Sequence, residues 1–334
     1  MATQEELRKF GIYLANNPHV AELFRKKARF IDSIRSFLND VGAIELHMPC
    51  LQKYREGAPV HQFVTMHPLT NERFYLRHCM EDHLRRVCNA FDRVYELGKA
   101  FRVEKEDHSR AIEFLVLEFV GRNITYTDGV DLVCDLIRSS IKEAFGRLDL
   151  SSIDFNSLKI QSFNEVMQLC LKFNLKDINC REKSLRALQE KGITTVSETS
   201  QDWEIFEELM KHFIEPYIRR PTVLTDFPMC LQHVCDVDET KGHAMRFSVI
   251  INGIEICDGG VKFSSSKGYK DVYKENAEYR ECNLGITDNE EPQEFYEDID
   301  AAEGPVFTFG FGIDRLFALC AGKCIQEVIL FPYR

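Results

Sequence analysis

The sequence predicts an α+β protein built on a largely antiparallel sheet flanked by helices, and three observations carry that reading. The strand-like runs "RFYLRHC", "RVYELGKAFRVE", "AIEFLVLEFVG" and "RFSVIINGI" are unevenly spaced and are not threaded by the regular βα units a doubly wound fold needs. Near the start, "VAELFRKKARFIDSIRSFLNDVG" places Leu23, Phe24, Phe30, Ile31, Ile34, Phe37 and Leu38 at helical spacing and stops at Gly42. The chain closes on "FTFGFGIDRLFALCAG", a strand turning through glycines into a helix.

The remaining elements follow in order. A short strand, "AIELHMP", comes after the first helix and is ended by Pro49. "EDHLRRVCNAF" reads as helix between two strands, and "AIEFLVLEFVG" is long and apolar enough for a central strand. "TDGVDLVCDLIRSSIKEAFGRL" is a helix opened by a Thr-Asp cap. Residues 150–215 form a mixed, mainly helical insertion with no functional signal, and "SSSKGYKD" is a polar loop. No repeat, linker or composition break divides the 334 residues, so residues 1–334 are expected to be one catalytic-sized domain.

Composition narrows the function classes. Apolar content of 44% and charged content of 28% belong to a globular protein. There is no basic n-region with an apolar run at the N-terminus and no apolar stretch of about 18 residues, so neither a signal peptide nor a membrane span is expected. Twelve cysteines without a CxxC pair read as reduced thiols of a cytoplasmic protein. The net charge of −11 argues against a broad nucleic-acid footprint. Eight acids and no base fall in residues 288–303, a solvated loop or helix rather than a partner-binding tail.

Three stretches carry chemistry together. In "FRVEKEDHSRAIEF", Arg102 and Glu104 alternate on one strand face, a charged loop follows, and the chain returns through Glu113 and Phe114; an arginine there grips polyphosphate and an aromatic ring offers a base a stacking face. The same pattern is equally that of a cross-strand salt bridge. In "GFGIDRL", glycines including Gly312 let backbone approach a ligand, and Arg315 emerges at a helix start. In "EICDGGVKF", Glu255 is placed to hold a magnesium ion, and a lone lysine, Lys262, sits where a sheet interior is expected.

In this order the stretches resemble motifs 1, 2 and 3 of the class II aminoacyl-tRNA synthetases, with "MPC" ending motif 1, "FRVE…EF" as motif 2 and "GFGIDRL" as motif 3. "DRVYELGKAFRVE", "TDFP", "RFSVIINGIEI" and "VILFP" resemble the lysyl, aspartyl and asparaginyl subclass, and the spacing from Phe101 to Phe114 resembles the lysyl branch. The resemblance covers roughly residues 20–334. With about twenty residues ahead of the motif 1 helix, the chain is similar in layout to a stand-alone paralogue without an anticodon-binding barrel, like the ligase that modifies elongation factor P. That layout implies an acceptor other than an anticodon-selected tRNA, although a tRNA is not excluded.

Residue by residue, the resemblance implies ATP and Mg2+ as partners in activation and a homodimer formed around residues 30–49. Arg102 would bridge the amino acid carboxylate and the ATP α-phosphate, with Arg110 also meeting phosphate. Glu104, Glu113 and Phe114 would hold and stack adenine, and Arg315 with Gly312 would receive the γ-phosphate. Glu81 would bind the α-ammonium beside Gly57, with Glu118, Val120, Asp258, Gly260 and Lys262 lining the amino-acid pocket and Glu255 and Asp258 as metal ligands. The departures matter as much. Lys262 stands where the lysyl family keeps a glutamate for the substrate ε-ammonium, and Val120 stands for a second contact, a tyrosine. A buried cation opposes a cationic substrate, so the pocket is expected to take an amino acid with an acidic or hydrogen-bond-accepting side chain. The other reading has Lys262 pointing away or paired with Asp258 or Glu118. Ser248 replaces the first magnesium carboxylate and Arg110 a histidine, so a non-catalytic binding protein is the alternative class.

Overall fold

The computed structural model describes residues 9–150, 153–302 and 304–332. Two helices open it, α1 (Phe10–Asn16) and α2 (Pro18–Asp40), and Pro18 takes the first turn of α2, where its missing N–H costs nothing. The expected stop is present: Gly42 has φ +79, a conformation that side chains disfavour.

The frame is an eight-stranded sheet. Its strands are β1 (Ile44–Glu45), β2 (Arg93–Phe101), β3 (Glu113–Arg122), β4 (Lys159–Ser162), β5 (Thr222–Thr225), β6 (Arg246–Ile251), β7 (Ile254–Lys262) and β8 (Val306–Gly312). They lie in the order β1-β2-β3-β8-β7-β6-β5-β4. Every pairing is antiparallel except at the two edges, where β1 runs parallel to β2 and β4 parallel to β5. The expected short strand before Pro49 is Ile44–Glu45 alone, and "RFYLRHC" contributes Arg73–Leu76 to a separate three-stranded sheet.

Alternation along each strand sorts its residues to two faces. On the back face Leu117 and Phe119 of β3 and Phe307, Phe309 and Phe311 of β8 meet Phe30 and Ile34 of α2. Helices α4 (Tyr126–Phe145) and α10 (Ile313–Ala321) cover the same face through Ile137, Ile141 and Phe317. Each buried Phe or Leu contributes about 1.5–3 kcal/mol, so this layer fixes the sheet. On the front face, helix α3 (Glu81–Val87) packs Met80 and Leu84 on Val116, Val120 and Val306, covering one end only.

Three local expectations change. Helix α4 begins one residue before "TDGV", capped by the Thr125 side chain, which accepts from the Asp128 N–H. "SSSKGYKD" is the first turn of helix α8 (Ser266–Leu284), anchored where Ser266 donates to Asp300. Part of the acidic run is helix α9 (Gln293–Asp300), whose Phe295, Tyr296 and Ile299 are buried.

Residues 150–215 are more than helices: they include β4 on the sheet edge before α5 (Phe163–Leu171), α6 (Cys180–Glu190) and α7 (Asp202–Leu209). Their apolar faces make a second core with Leu224 and Ile250, whose chain neighbours Val223 and Val249 point into the first. One pair of strands therefore serves two cores, one on each face.

Candidate active site

The front face of β3, β8, β7 and β6 is left open beyond α3, and the sequence places polar residues on it at period two. Glu118 of β3 stands opposite Gly310 of β8, which stands opposite Asp258 of β7. A Cβ at Gly310 would lie 2.9 Å from the Glu118 carboxylate oxygens, so glycine leaves a slot between two acids.

Around this slot is a cleft of about 210 Å³ lined by Arg102, Glu104, Arg110, Phe114, Glu118, Glu255, Asp258, Gly312 and Arg315. Residues from three distant parts of the chain thus come together. Arg102 and Glu104 lie beyond the end of β2, in the loop rather than on a strand face; the Arg102 N–H donating to the Ile112 carbonyl holds the loop in line with the strand. The Arg102 guanidinium lies 5.2 Å from the Phe114 ring centre. Arg315 is fixed by donating to the carbonyls of Ser109 and Glu255, both at 3.1 Å. Its neighbour Asp314, buried, accepts from the Leu115 N–H at 2.7 Å and from Lys27, tying the start of α10 to β3 and α2. Burial lowers the pKa of Arg315 against the opposing pull of Glu255.

The two acids expected to hold metal differ. Asp258 accepts from Nε of the buried Arg246 guanidinium at 2.9 Å and pairs with its Nη2 at 2.8 Å, so its charge is already matched. Glu255 accepts from the Ser248 hydroxyl at 3.0 Å, and its pKa is pushed up to about 7 by burial and by Asp258.

The cleft continues through His78, Cys79 and Glu81 into a larger cavity of about 1080 Å³ between the sheet, α8, α9 and the insertion. Lys262, at the end of β7, is 5% exposed on its floor. Its ammonium pairs with Glu81 at 3.2 Å, neither pointing away nor choosing Asp258 or Glu118. Burial would depress that ammonium, but Cys235, Glu81 and Tyr269 outweigh it and hold it charged. The acids beside it are less well compensated. Burial, reinforced by Glu81, pushes Glu118 up to about 8, and burial with Glu56 and Glu81 pushes Asp82 up to about 7. Glu56 is the exception, held low against its burial by His78, which bonds it through ring and backbone, and by Gln52.

The structure does not bring every expected residue to these cavities. Gly57 lines the larger one, where its carbonyl accepts from Asn276 and Arg280. Glu113 pairs with Lys99 at 3.4 Å and lines neither cavity. Val120 shares the face of Glu118 but is buried under α3. Gly260 is a packing residue, since a Cβ there would lie 2.1 Å from the Met245 carbonyl oxygen and 2.9 Å from Cys235 Sγ. Sequence reasoning missed Asp82, although it adjoins Glu81 in "CMEDHL". It also missed Tyr269, Tyr296 and Trp203, which line the larger cavity from segments taken as loop, acidic run and insertion.

Comparison with known proteins shows the family. Residues 3–334 match the family described as tRNA synthetases class II (D, K and N). The chain is similar to the lysine–tRNA ligase of Dehalococcoides mccartyi, with 29% identity over 98% of this chain and 68% of the relative. It is 28% identical to that of Helicobacter pylori over 95% of this chain and 64% of the relative. With that of Methanospirillum hungatei it shares 29% over 98% and 66%.

Proposed function

The chain belongs to the class II tRNA synthetases (D, K and N) and is an aminoacyl-adenylate-forming ligase; from that premise we propose that it activates, with ATP, an amino acid whose side chain is acidic or accepts hydrogen bonds, and passes it to an acceptor other than tRNA. The observation that carries the substrate reading is the buried Lys262–Glu81 pair at the junction of the two cavities. An amino acid with an acidic side chain inserts between them, its α-ammonium on Glu81 and its side-chain carboxylate on Lys262, so two ion pairs replace one. Lysine would set a second ammonium against Lys262 in a site already out of water.

ATP fits the cleft by its donor set. Arg102, Arg110 and Arg315 converge on a small polar space with Phe114 at its wall, which suits a polyphosphate and a stacked base. The substrate carboxylate attacks the α-phosphorus in line and pyrophosphate leaves. Arg102 holds carboxylate and α-phosphate together and Arg315 holds the departing phosphates, so the protein contributes position and charge stabilisation. For magnesium the donor set is thin but adequate: of Glu255 and Asp258, Glu255, beside the Ser248 hydroxyl, is the one not already neutralised by a guanidinium. A magnesium ion bound there would neutralise phosphate charge.

A net charge of −11 and an acid-rich cavity disfavour a polyanionic acceptor. Exposed Ile44 on the edge strand β1, within the expected residues 30–49, supports a homodimer across that edge. Twelve free cysteines suit the reducing cytoplasm.

The test is ATP–pyrophosphate exchange across aspartate, glutamate, asparagine, lysine and β-lysine. Exchange with aspartate, glutamate or asparagine is expected; exchange with lysine alone would overturn the substrate assignment.

A further inference from the structure

The larger cavity holds more than activation needs. At about 1080 Å³ it is at the upper end of the size that encloses a drug-sized ligand, whereas only the side chain of the amino acid has to enter it past Lys262. The wall formed by α8 and α9, beside Lys262, is polar in an unusual way. Tyr269 of α8 and Tyr296 of α9 are 6% and 2% exposed, both line the cavity, and both hydroxyls are buried without a hydrogen-bond partner among the described residues. A buried hydroxyl left unpaired costs about 1–3 kcal/mol, so two of them on one wall point to a ligand that completes them. Asp82, at the start of α3, lines the same cavity and makes no ion pair among the described residues, unlike Glu81 beside it. The nearby cations are already engaged: Lys262 with Glu81, Arg181 with Asp202, and His233 with Glu207. Trp203 and Phe295 add aromatic surface.

An unpaired carboxylate, two hydroxyls and aromatic faces recognise an organic ammonium group. Resting on the adenylation reading above, we propose that this cavity is the acceptor site of the enzyme and that the acceptor is a primary amine, bound as its ammonium by Asp82, Tyr269 and Tyr296. The amine loses one proton to Asp82 and its nitrogen attacks the carbonyl carbon of the aminoacyl adenylate. The C–N bond forms, the C–O bond to phosphate breaks, and AMP leaves with that electron pair. The nitrogen's second proton passes to solvent, and the product is an amide. The cleft and the cavity join at His78, Cys79 and Glu81, so an amine held in the cavity can reach the carbonyl.

The experiment measures AMP release and amide formation by the full chain with ATP and the amino acid that supports exchange. Ammonium, 1,4-diaminobutane and Nα-acetyl-lysine are tested as acceptors against 2-mercaptoethanol and total tRNA. At least a tenfold stimulation by an amine is expected. The ratio of amine-dependent AMP release to pyrophosphate exchange should fall at least tenfold in Asp82→Asn and fivefold in Tyr296→Phe. The latter removes a buried unpaired hydroxyl and is not expected to harm folding. Stimulation by the thiol or by tRNA alone, or an unchanged ratio in both variants, would overturn the proposal. Silence in exchange would count against adenylation itself. The amine site then stands or falls on equilibrium binding of 1,4-diaminobutane without ATP: binding weakened at least fivefold in Tyr296→Phe upholds it, and no binding overturns it.

Discussion

Replacing Lys262 by methionine keeps the aliphatic stem that packs at the end of β7 and removes only the ammonium. In the native protein that ammonium lies 3.2 Å from Glu81 Oε2, with the two side chains 5% and 17% exposed. Two unit charges at that distance attract by about 5 kcal/mol at an effective dielectric near 20, part of which offsets their desolvation. Taking one away leaves Glu81 unmatched beside Asp82 and Glu118, and breaking a buried pair in this way costs about 3–5 kcal/mol. With a urea dependence near 3 kcal/mol per molar, the unfolding midpoint of Lys262→Met should fall by roughly 1 M or more. Lys323→Met is the control: it breaks an exposed pair with Glu327 at 3.4 Å and should cost no more than about 0.5 kcal/mol. The same loss on the substrate side should raise the KM for an acidic amino acid in pyrophosphate exchange by roughly a hundredfold. If Lys262→Met and Lys323→Met shift the midpoint equally, the pair is not desolvated, and the substrate argument built on it fails as well.

Two further outcomes follow from geometry. Glu118 has its pKa raised from 4.5 to about 8, so between these values the unfolded chain gives up a proton that the folded protein keeps. Stability is therefore fully present below pH 4.5 and falls as pH rises towards 8, by up to about 1.4 kcal/mol per pH unit from this group; urea midpoints from pH 5 to 8 should show a shallower decline in Glu118→Gln. Gly260→Ala should lower the thermal midpoint by overpacking the Met245 carbonyl, at a cost of about 1–3 kcal/mol, and should change the amino-acid KM little, since the residue lines neither cavity.

Much of the cleft was legible in the sequence because its chemistry is carried by short runs on regular elements. Arg102, Phe114 and Arg315 are read from "FRVE", "EF" and "GIDRL", and β3 and α10 bring them together as that reading requires. The misses have physical causes. Val120 shares a face with Glu118, but strand alternation gives only the face, not the helix lying on it. Gly260 looked like room for a ligand, whereas the room is taken by neighbouring backbone, a contact 15 residues away in sequence. Asp258 looked like a metal ligand because nothing in "EICDGG" shows that Arg246, across the sheet, already holds it. Helix α8 was hidden by its polar composition and the burial of α9 by its acidic one, and with them the aromatic wall of the larger cavity. Buried Phe295 and Ile299, four apart in the acidic run, were the available signal.

The two cores that share β5 and β6 divide the labour of change. The first core, through β8 and α10, fixes Arg315, so a substitution there disturbs the arrangement of the nucleotide cleft. The second, under residues 150–215, supports the segment from Glu198 to Trp203 that walls the larger cavity and touches α8 through Trp203 and Tyr279. Mutations in that second layer can reshape what enters the chamber while the machinery for handling phosphate keeps its geometry. Such a molecule can explore new partners by drift in one half without first losing its chemistry in the other.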